Sequence, residues 1–315
     1  FWQRFKLSKL AQRAACDLLY VPGGSSAGDF RPMVTMSRNM LPYEWREMIR
    51  YGLSWLTVKY WLLRLTQSSG LRRADGVIFL TRYAQEAVTR VTGLLRGQAT
   101  IVPHGIDNRF VCAPRSQRML EDYSADNPFR FLYVSIVDVY KHQWNVAEAV
   151  ARLRAKGFPV ALDLIGPAYG PALERLRKVL QRVDPDHAII RYLGVVPYQE
   201  LHHMYGVADA CVFASSCENM PNILLEGMAS GLPIACSDRG PMPEVLGDAG
   251  VYFDPENVES VEQALKKLIM SPRLRSEKAQ AAFEVIRCYS WPRCAEETFG
   301  FLAKVVGISR REASA

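Results

Sequence analysis

From residue 129 onward the apolar positions fall into short continuous runs, separated by stretches in which they recur every three or four residues. Short apolar runs read as strands buried on both faces, and the longer spacing reads as helix. The pattern predicts strands over 131–135, 160–165, 188–193, 210–214, 233–236 and 250–253, and helices over 142–156, 172–183, 198–205 and 222–230. Strand–helix alternation of this kind implies a parallel sheet with helices on both faces. Ligands of such sheets bind outside the carboxyl ends of the strands.

The first half is less regular. Strands are expected at 17–21, 33–36, 76–80 and 99–102, and a long helical stretch at 43–66. The polar, irregular segment 113–128 is the expected linker. Two helical pieces, 273–287 and 291–306, close the chain. Tyr289-Ser290-Trp291-Pro292 separates them, with Ser290 a suitable N-cap and Pro292 tolerated in a first turn. No repeat, low-complexity tract or run of 18 apolar residues occurs. The apolar stretch 53–65 is broken by Lys59 and Arg64, so no spanning helix is expected.

Composition narrows the class. With 315 residues, 49% hydrophobic and 23% charged, the chain reads as a soluble globular protein long enough for two α/β domains. Its net charge of +7 is uneven: 18 Lys and Arg face 7 Asp and Glu in residues 1–120 (+11), against 21 and 25 in the remainder (−4). Such asymmetry points to a solvated basic face or an anionic partner for the first half, either a membrane surface or nucleic acid. No nucleic-acid fold signature accompanies it, so nucleic acid is not an expected partner. Seven scattered cysteines, with no metal-ligand spacing, fit reduced thiols and a cytoplasmic chain; Cys211 and Cys236 sit in strand-like runs and should be core. No signal peptide is visible, but the chain opens on Phe1, so residues upstream are expected.

The chemistry concentrates in Glu218-Asn219-Met220-Pro221-Asn222-Ile223-Leu224-Leu225-Glu226, followed by Gly227-Met228-Ala229-Ser230-Gly231-Leu232-Pro233. A strand ends near Ala214, a polar loop follows, and a short apolar helix opens after Pro221 and stops at Gly231, a suitable left-handed terminator. Its N-terminus offers unpaired N–H groups suited to phosphate. Glu218 in the loop is also explained by the helix dipole. Glu226, inside an apolar helix, is not, because an unpaired buried carboxylate is expensive. A ligand offering two hydroxyls would satisfy it.

This stretch resembles the Glu-x7-Glu motif of glycosyltransferase family 4, retaining enzymes of the GT-B fold. Flanking segments extend the resemblance over about residues 75–300: Tyr192-Leu193-Gly194-Val195-Val196, Ser237 to Val245, Gly247 to Gly250, and Ile101-Val102-Pro103-His104-Gly105-Ile106-Asp107. The last is similar to a Pro-Asn-Gly-Val-Asp signature, with His104 in place of Asn. The resemblance implies two Rossmann-like domains facing across a cleft: residues 1–118 for the acceptor, N-terminally incomplete, and 119–289 for the donor, with a helix at 290–315 crossing back. It implies that Glu218 and Lys141 are catalytic, that Glu226 holds a ribose, and that Asn219, Met220, Pro221, Asn222, Leu225 and Val195 line the donor site. A nucleoside diphosphate sugar is the implied donor substrate, with no cofactor and no metal.

The chain departs from the family in three places. No basic residue lies between Arg130 and Lys141, where the family usually carries an Arg. Ser37 stands where many members have a His, leaving Arg38 and Asn39 as cleft candidates beside His104 and Gly105. The Gly-rich first strand–loop unit is absent. His142, next to Lys141, is assigned a capping or surface role, and the alternative for Lys141 is an exposed loop cation.

The implied reaction moves mannose, glucose or an N-acetylhexosamine to a glycan or lipid-linked acceptor in cell-surface polysaccharide synthesis. The helical stretch at 43–73 mixes Trp45, Trp55, Tyr60 and Trp61 with Arg46, Arg50, Lys59, Arg64, Arg72 and Arg73. It suits either inward packing of the tryptophans or an anionic membrane interface at the inner face of the cytoplasmic membrane. A degenerate nucleotide-sugar-binding module, or another GT-B enzyme such as an epimerase or phosphorylase, are the competing readings.

Overall fold

The computed structural model describes residues 6–25 and 28–313. The chain forms two compact units: unit 1 from residues 1–105, 218–220 and 289–315, and unit 2 from 106–217 and 221–288.

In unit 1, strands β1 (Leu19–Val21), β2 (Met33–Met36), β3 (Gly76–Phe79) and β4 (Gln98–Ile101) form a parallel sheet in that order. Helices α1 (Ser8–Arg13), α2 (Trp45–Met48), α3 (Trp55–Arg73) and α4 (Arg82–Thr92) accompany it. The helix expected over 43–66 is split. Gly52 adopts φ +62°, which breaks the run, and Ser54 caps a new helix by accepting from Thr57 N. α4, absent from the expected set, starts at an equally plain signal: Thr81 Oγ1 accepts from Ala84 N.

Unit 2 alternates β5 (Phe129–Val134), α5 (Gln143–Ala155), β6 (Val160–Ile165), α6 (Gly170–Val183), β7 (Ile190–Gly194), α7 (Leu201–Val207), β8 (Ala210–Phe213), α8 (Asn222–Ala229), β9 (Ile234–Ser237), α9 (Met242–Leu246), β10 (Gly250–Phe253), α10 (Val258–Met270) and α11 (Pro272–Ile286). All neighbours pair in parallel, in the order β10-β9-β8-β5-β6-β7. β5 is therefore laid down first, the next two strands extend one way, and the last three extend the other. The reversal between β5 and β8 opens a crevice at their carboxyl ends.

The boundary expected at residue 118 moves to 105, and the expected linker 113–128 belongs to unit 2. Polar contacts hold it there. Asp209, at the start of β8, accepts from Arg118 Nη2 (3.0 Å), Tyr123 Oη (3.0 Å) and Arg130 N (2.9 Å). Fully buried Arg275 donates to the carbonyls of Leu268 (2.6 Å), Ile269 (2.8 Å) and Arg118, and to Gln117 Oε1 (3.0 Å). The segment itself stays largely exposed, with Tyr123 buried, and is tied to unit 2 by the buried Asp209 and Arg275.

The chain then returns to unit 1 as α12 (Trp291–Ala313), capped by Ser290 Oγ, which accepts from Arg293 N. Phe301 and Val305 press on Gly76: a Cβ there would stand 2.9 Å from Val305 and 3.0 Å from Phe301. Among the described residues no helix is long and apolar enough to cross a membrane.

Candidate functional site

Two loops meet at the crevice of unit 2, residues 135–142 after β5 and 214–217 after β8. Ser216 joins them. Its N–H donates to Tyr140 O (2.8 Å), its hydroxyl donates to the same carbonyl (3.2 Å), and His142 Nε2 lies 2.9 Å from that hydroxyl. His142 caps α5 with φ +51° and is 2% exposed, so the surface role is corrected to a buried one. Its ring spends its polarity on Ser216. Gly166, at the end of β6, supports the first loop at φ +140°. A Cβ on it would fall 2.2 Å from Ser135 O, so only glycine fits.

Lys141 sits within this arrangement at 4% exposure, which rules out a solvated loop cation. Tyr133 Oη donates to its carbonyl (2.5 Å), and its own N–H donates to Asp138 O (3.0 Å). The ammonium lies 5.1 Å from the Tyr140 ring centroid and 5.2 Å from that of Phe213. Aromatic faces of this kind stabilise a cation.

α8 opens at the same edge after Pro221, which supplies no side-chain cap. Its first-turn N–H groups point out of the helix. Asn222 is exposed there, whereas Leu225 is fully buried and its N–H is engaged by Pro221 O (3.2 Å). Glu226 follows one turn in, 5% exposed among the buried Leu224, Leu225, Gly227, Met228 and Ala229. Tyr205 Oη donates to its Oε2 at 3.0 Å. Burial drives the Glu226 carboxyl up to about 7, and the Tyr205 hydrogen bond opposes that rise only in part. Its charge in turn adds to burial in raising the Tyr205 and Tyr198 hydroxyls and the Cys211 thiol.

Aromatic rings wall this carboxyl. Phe110 lies 5.5 Å from Tyr198 and 5.7 Å from Tyr205, centroid to centroid, and the Arg109 guanidinium stands 5.1 Å over Tyr198. Val195, in the loop after β7, is exposed. Tyr205, Tyr198 and Arg109 were not legible as site residues. Each meets its partner across a long separation in sequence, where periodicity carries no signal.

The other expected site residues belong to unit 1. Arg38 is exposed just past β2, and Asn39 Oδ1 accepts from Leu41 N (3.1 Å) in a local turn. Ser37 is buried and lies 3.5 Å from Asn219 Nδ2, which donates to it. Thr81 Oγ1 donates to Asn219 O (3.0 Å). Asn219 Oδ1 is buried with no hydrogen-bond partner among the described residues. Glu218 is half-buried and Met220 buried.

His104 stacks at 5.5 Å against the Trp291 ring, and Gly105 lies against the backbone at the start of α12. A Cβ on Gly105 would stand 2.1 Å from Trp291 N and 2.3 Å from Ser290 C. Backbone cannot yield as a side chain does, so Gly105→Ala is expected to destabilise the protein by ~1–3 kcal/mol. Chemical denaturation measures this, and an unchanged midpoint would show that the contact relaxes freely.

The family Glycosyl transferases group 1 matches residues 121–285. O-antigen chain mannosyltransferase B of Escherichia coli is 32% identical over 109 residues, covering 35% of this chain and 29% of that protein. The GDP-mannose-dependent alpha-(1-6)-phosphatidylinositol monomannoside mannosyltransferase of Mycolicibacterium smegmatis is 27% identical over 230 residues, covering 68% of this chain and 59% of its own length. The chain thus spans less than two thirds of the length of these relatives. Sucrose-phosphate synthase of Thermosynechococcus elongatus superposes with a TM-score of 0.76 at 16% identity, over 95% of this chain and 76% of that one. Anabaena HepE, solved with UDP and glucose, superposes at 0.73 and 17% identity, over 94% and 80%. These likenesses give the fold as GT-B, with two Rossmann-like domains. The chain belongs to the glycosyl transferases group 1 family.

Proposed function

We propose that this chain carries the donor site of a retaining glycosyltransferase that moves a sugar from a nucleoside diphosphate sugar to a glycan or lipid-linked acceptor in cell-surface polysaccharide synthesis. Buried Glu226 supports this most directly. A carboxyl pushed up to about 7 by burial, with one protein hydrogen bond to Tyr205, is costly unless a ligand completes it. Two ribose hydroxyls donating to it meet that need. Lys141, on the loop facing α8 across the sheet's reversal, neutralises the diphosphate, and the N-terminus of α8 adds its dipole. Charge grows on the leaving diphosphate as the glycosidic bond breaks, so preorganised positive groups are the main catalytic device. Glu218 and the backbone of Asn219 to Asn222 hold the sugar. The unpartnered Asn219 Oδ1 is an acceptor that a sugar hydroxyl satisfies.

Mannose is the favoured sugar, because several relatives are named as mannosyltransferases and one as GDP-mannose-dependent. A thermal-shift series with GDP-mannose, UDP-glucose and ADP-glucose tests this. A true donor at ~100 times its dissociation constant adds about 2.7 kcal/mol of stability, and GDP-mannose should give the largest shift. Absence of any shift would remove the donor-site reading. A shift by UDP-glucose alone would replace the sugar but keep the class.

A further inference from the structure

The first two-thirds of α3 turns an apolar face to solvent. Trp55 is 72% exposed and Trp61 54%, with Val58, Leu62 and Leu65 about half exposed. At 100° per residue these five positions share an arc of about 120°, and they span about 15 Å along the axis. The opposite side of the helix meets unit 1 through Tyr60, whose ring lies 5.4 Å from that of Tyr51, and through buried Ser68, Gly70 and Leu71 at its far end. The stripe continues into the preceding segment, where Trp45, Ile49 and Leu53 are also exposed.

Charge identifies what this face fits. α3 holds Lys59, Arg64, Arg72 and Arg73 and no acidic residue. The two acids just before it are spent internally: Glu44 accepts from Tyr83 Oη, and buried Glu47 pairs with Arg50 at 2.7 Å. Arg46, Lys59, Arg72 and Arg73 remain exposed around the stripe. Tryptophan and leucine on one face, rimmed by cations without anions, match the boundary between headgroups and acyl chains of an anionic bilayer. A protein partner or a second copy would need compensating acids, and this surface supplies none of its own.

We propose that the outward face of α3, with Trp45, Ile49 and Leu53, seats unit 1 on an anionic lipid bilayer, the helix axis lying in the plane of the surface. This does not rest on the donor chemistry above. Co-sedimentation with phosphatidylcholine vesicles, with and without phosphatidylglycerol, tests it. The protein should be retained on phosphatidylglycerol-containing vesicles and released by salt. A Trp55→Ser/Trp61→Ser double variant should lose at least roughly tenfold in partitioning, and Lys59→Glu or Arg72→Glu roughly fivefold each. All four side chains are exposed, so circular dichroism and GDP-mannose thermal shifts should match the parent protein. Failure to bind anionic vesicles, equal binding to pure phosphatidylcholine, or full binding by the double tryptophan variant would each overturn the proposal. So would a dimer in sedimentation that the same variant dissolves, since a second copy would then be the occupant.

Discussion

Glu226→Gln is expected to weaken donor binding by roughly 10–100-fold while leaving the ligand-free protein as stable or more stable at pH 8. The two effects share one cause. Hydrogen bonds to an ionised group are worth about 1.5–3 kcal/mol, and glutamine keeps the shape but loses the charge and one acceptor. In the free protein that charge is a liability. The folded carboxyl titrates at about 7 against an ordinary 4.5, raised chiefly by burial. The folded state therefore holds the proton more tightly than the unfolded chain. Its contribution is fully present below about pH 4.5 and is lost as pH rises through about 7, on the order of 3 kcal/mol in all. Glutamine does not titrate, so the variant's stability should stay flat over this window while the parent's falls. Donor affinity in the parent should tighten from pH 6 to 8 as the carboxylate forms. Isothermal titration and urea unfolding at pH 5 and 8 read both arms. A variant with parental donor affinity would sink the ribose assignment, whatever its stability.

Arg275→Ala is expected to cost about 3–5 kcal/mol of stability. Arg275 is fully buried and satisfies four acceptors, the carbonyls of Leu268, Ile269 and Arg118 and the amide of Gln117, with Phe129 against its guanidinium at 5.1 Å. Truncation strands those acceptors and opens a cavity. Burial pulls the guanidinium's pKa down, yet the ion persists because carbonyl dipoles at the end of α10 face it. Lysine retains the charge but has no planar fork, so Arg275→Lys should recover only part of the loss. Urea denaturation followed by tryptophan fluorescence measures both. A loss below about 1 kcal/mol for alanine would mean that water replaces the fork.

What could be read from the sequence divides along a physical line. Strands β6, β8 and β9 were legible because inner strands of a parallel sheet are buried on both faces and appear as apolar runs. Glu226 was legible because an acid on an apolar helix contradicts its surroundings. Tyr205 was not, because its role depends on a hydrogen bond spanning 21 residues. The 113–128 segment misled for the opposite reason: its irregular polarity suggested a linker, whereas hydrogen bonds to Asp209 and Arg275, remote in sequence, tie it to unit 2. The orientation of Trp55 and Trp61 could not be decided from spacing, since α3 carries apolar residues on its inner face as well. Only the position of the sheet makes one face outward.

The discontinuity of unit 1 has a consequence for biosynthesis. Residues 8–101 supply its four strands, but the helix that covers Gly76 with Phe301 and Val305 lies beyond all of unit 2. At ~5–20 residues per second, a ribosome needs roughly 10–40 s to pass from Gly105 to the last turn of α12. Throughout that interval β3 has apolar surface with nothing to lie against it. Unit 1 therefore reaches its finished form only after α12 has left the exit tunnel.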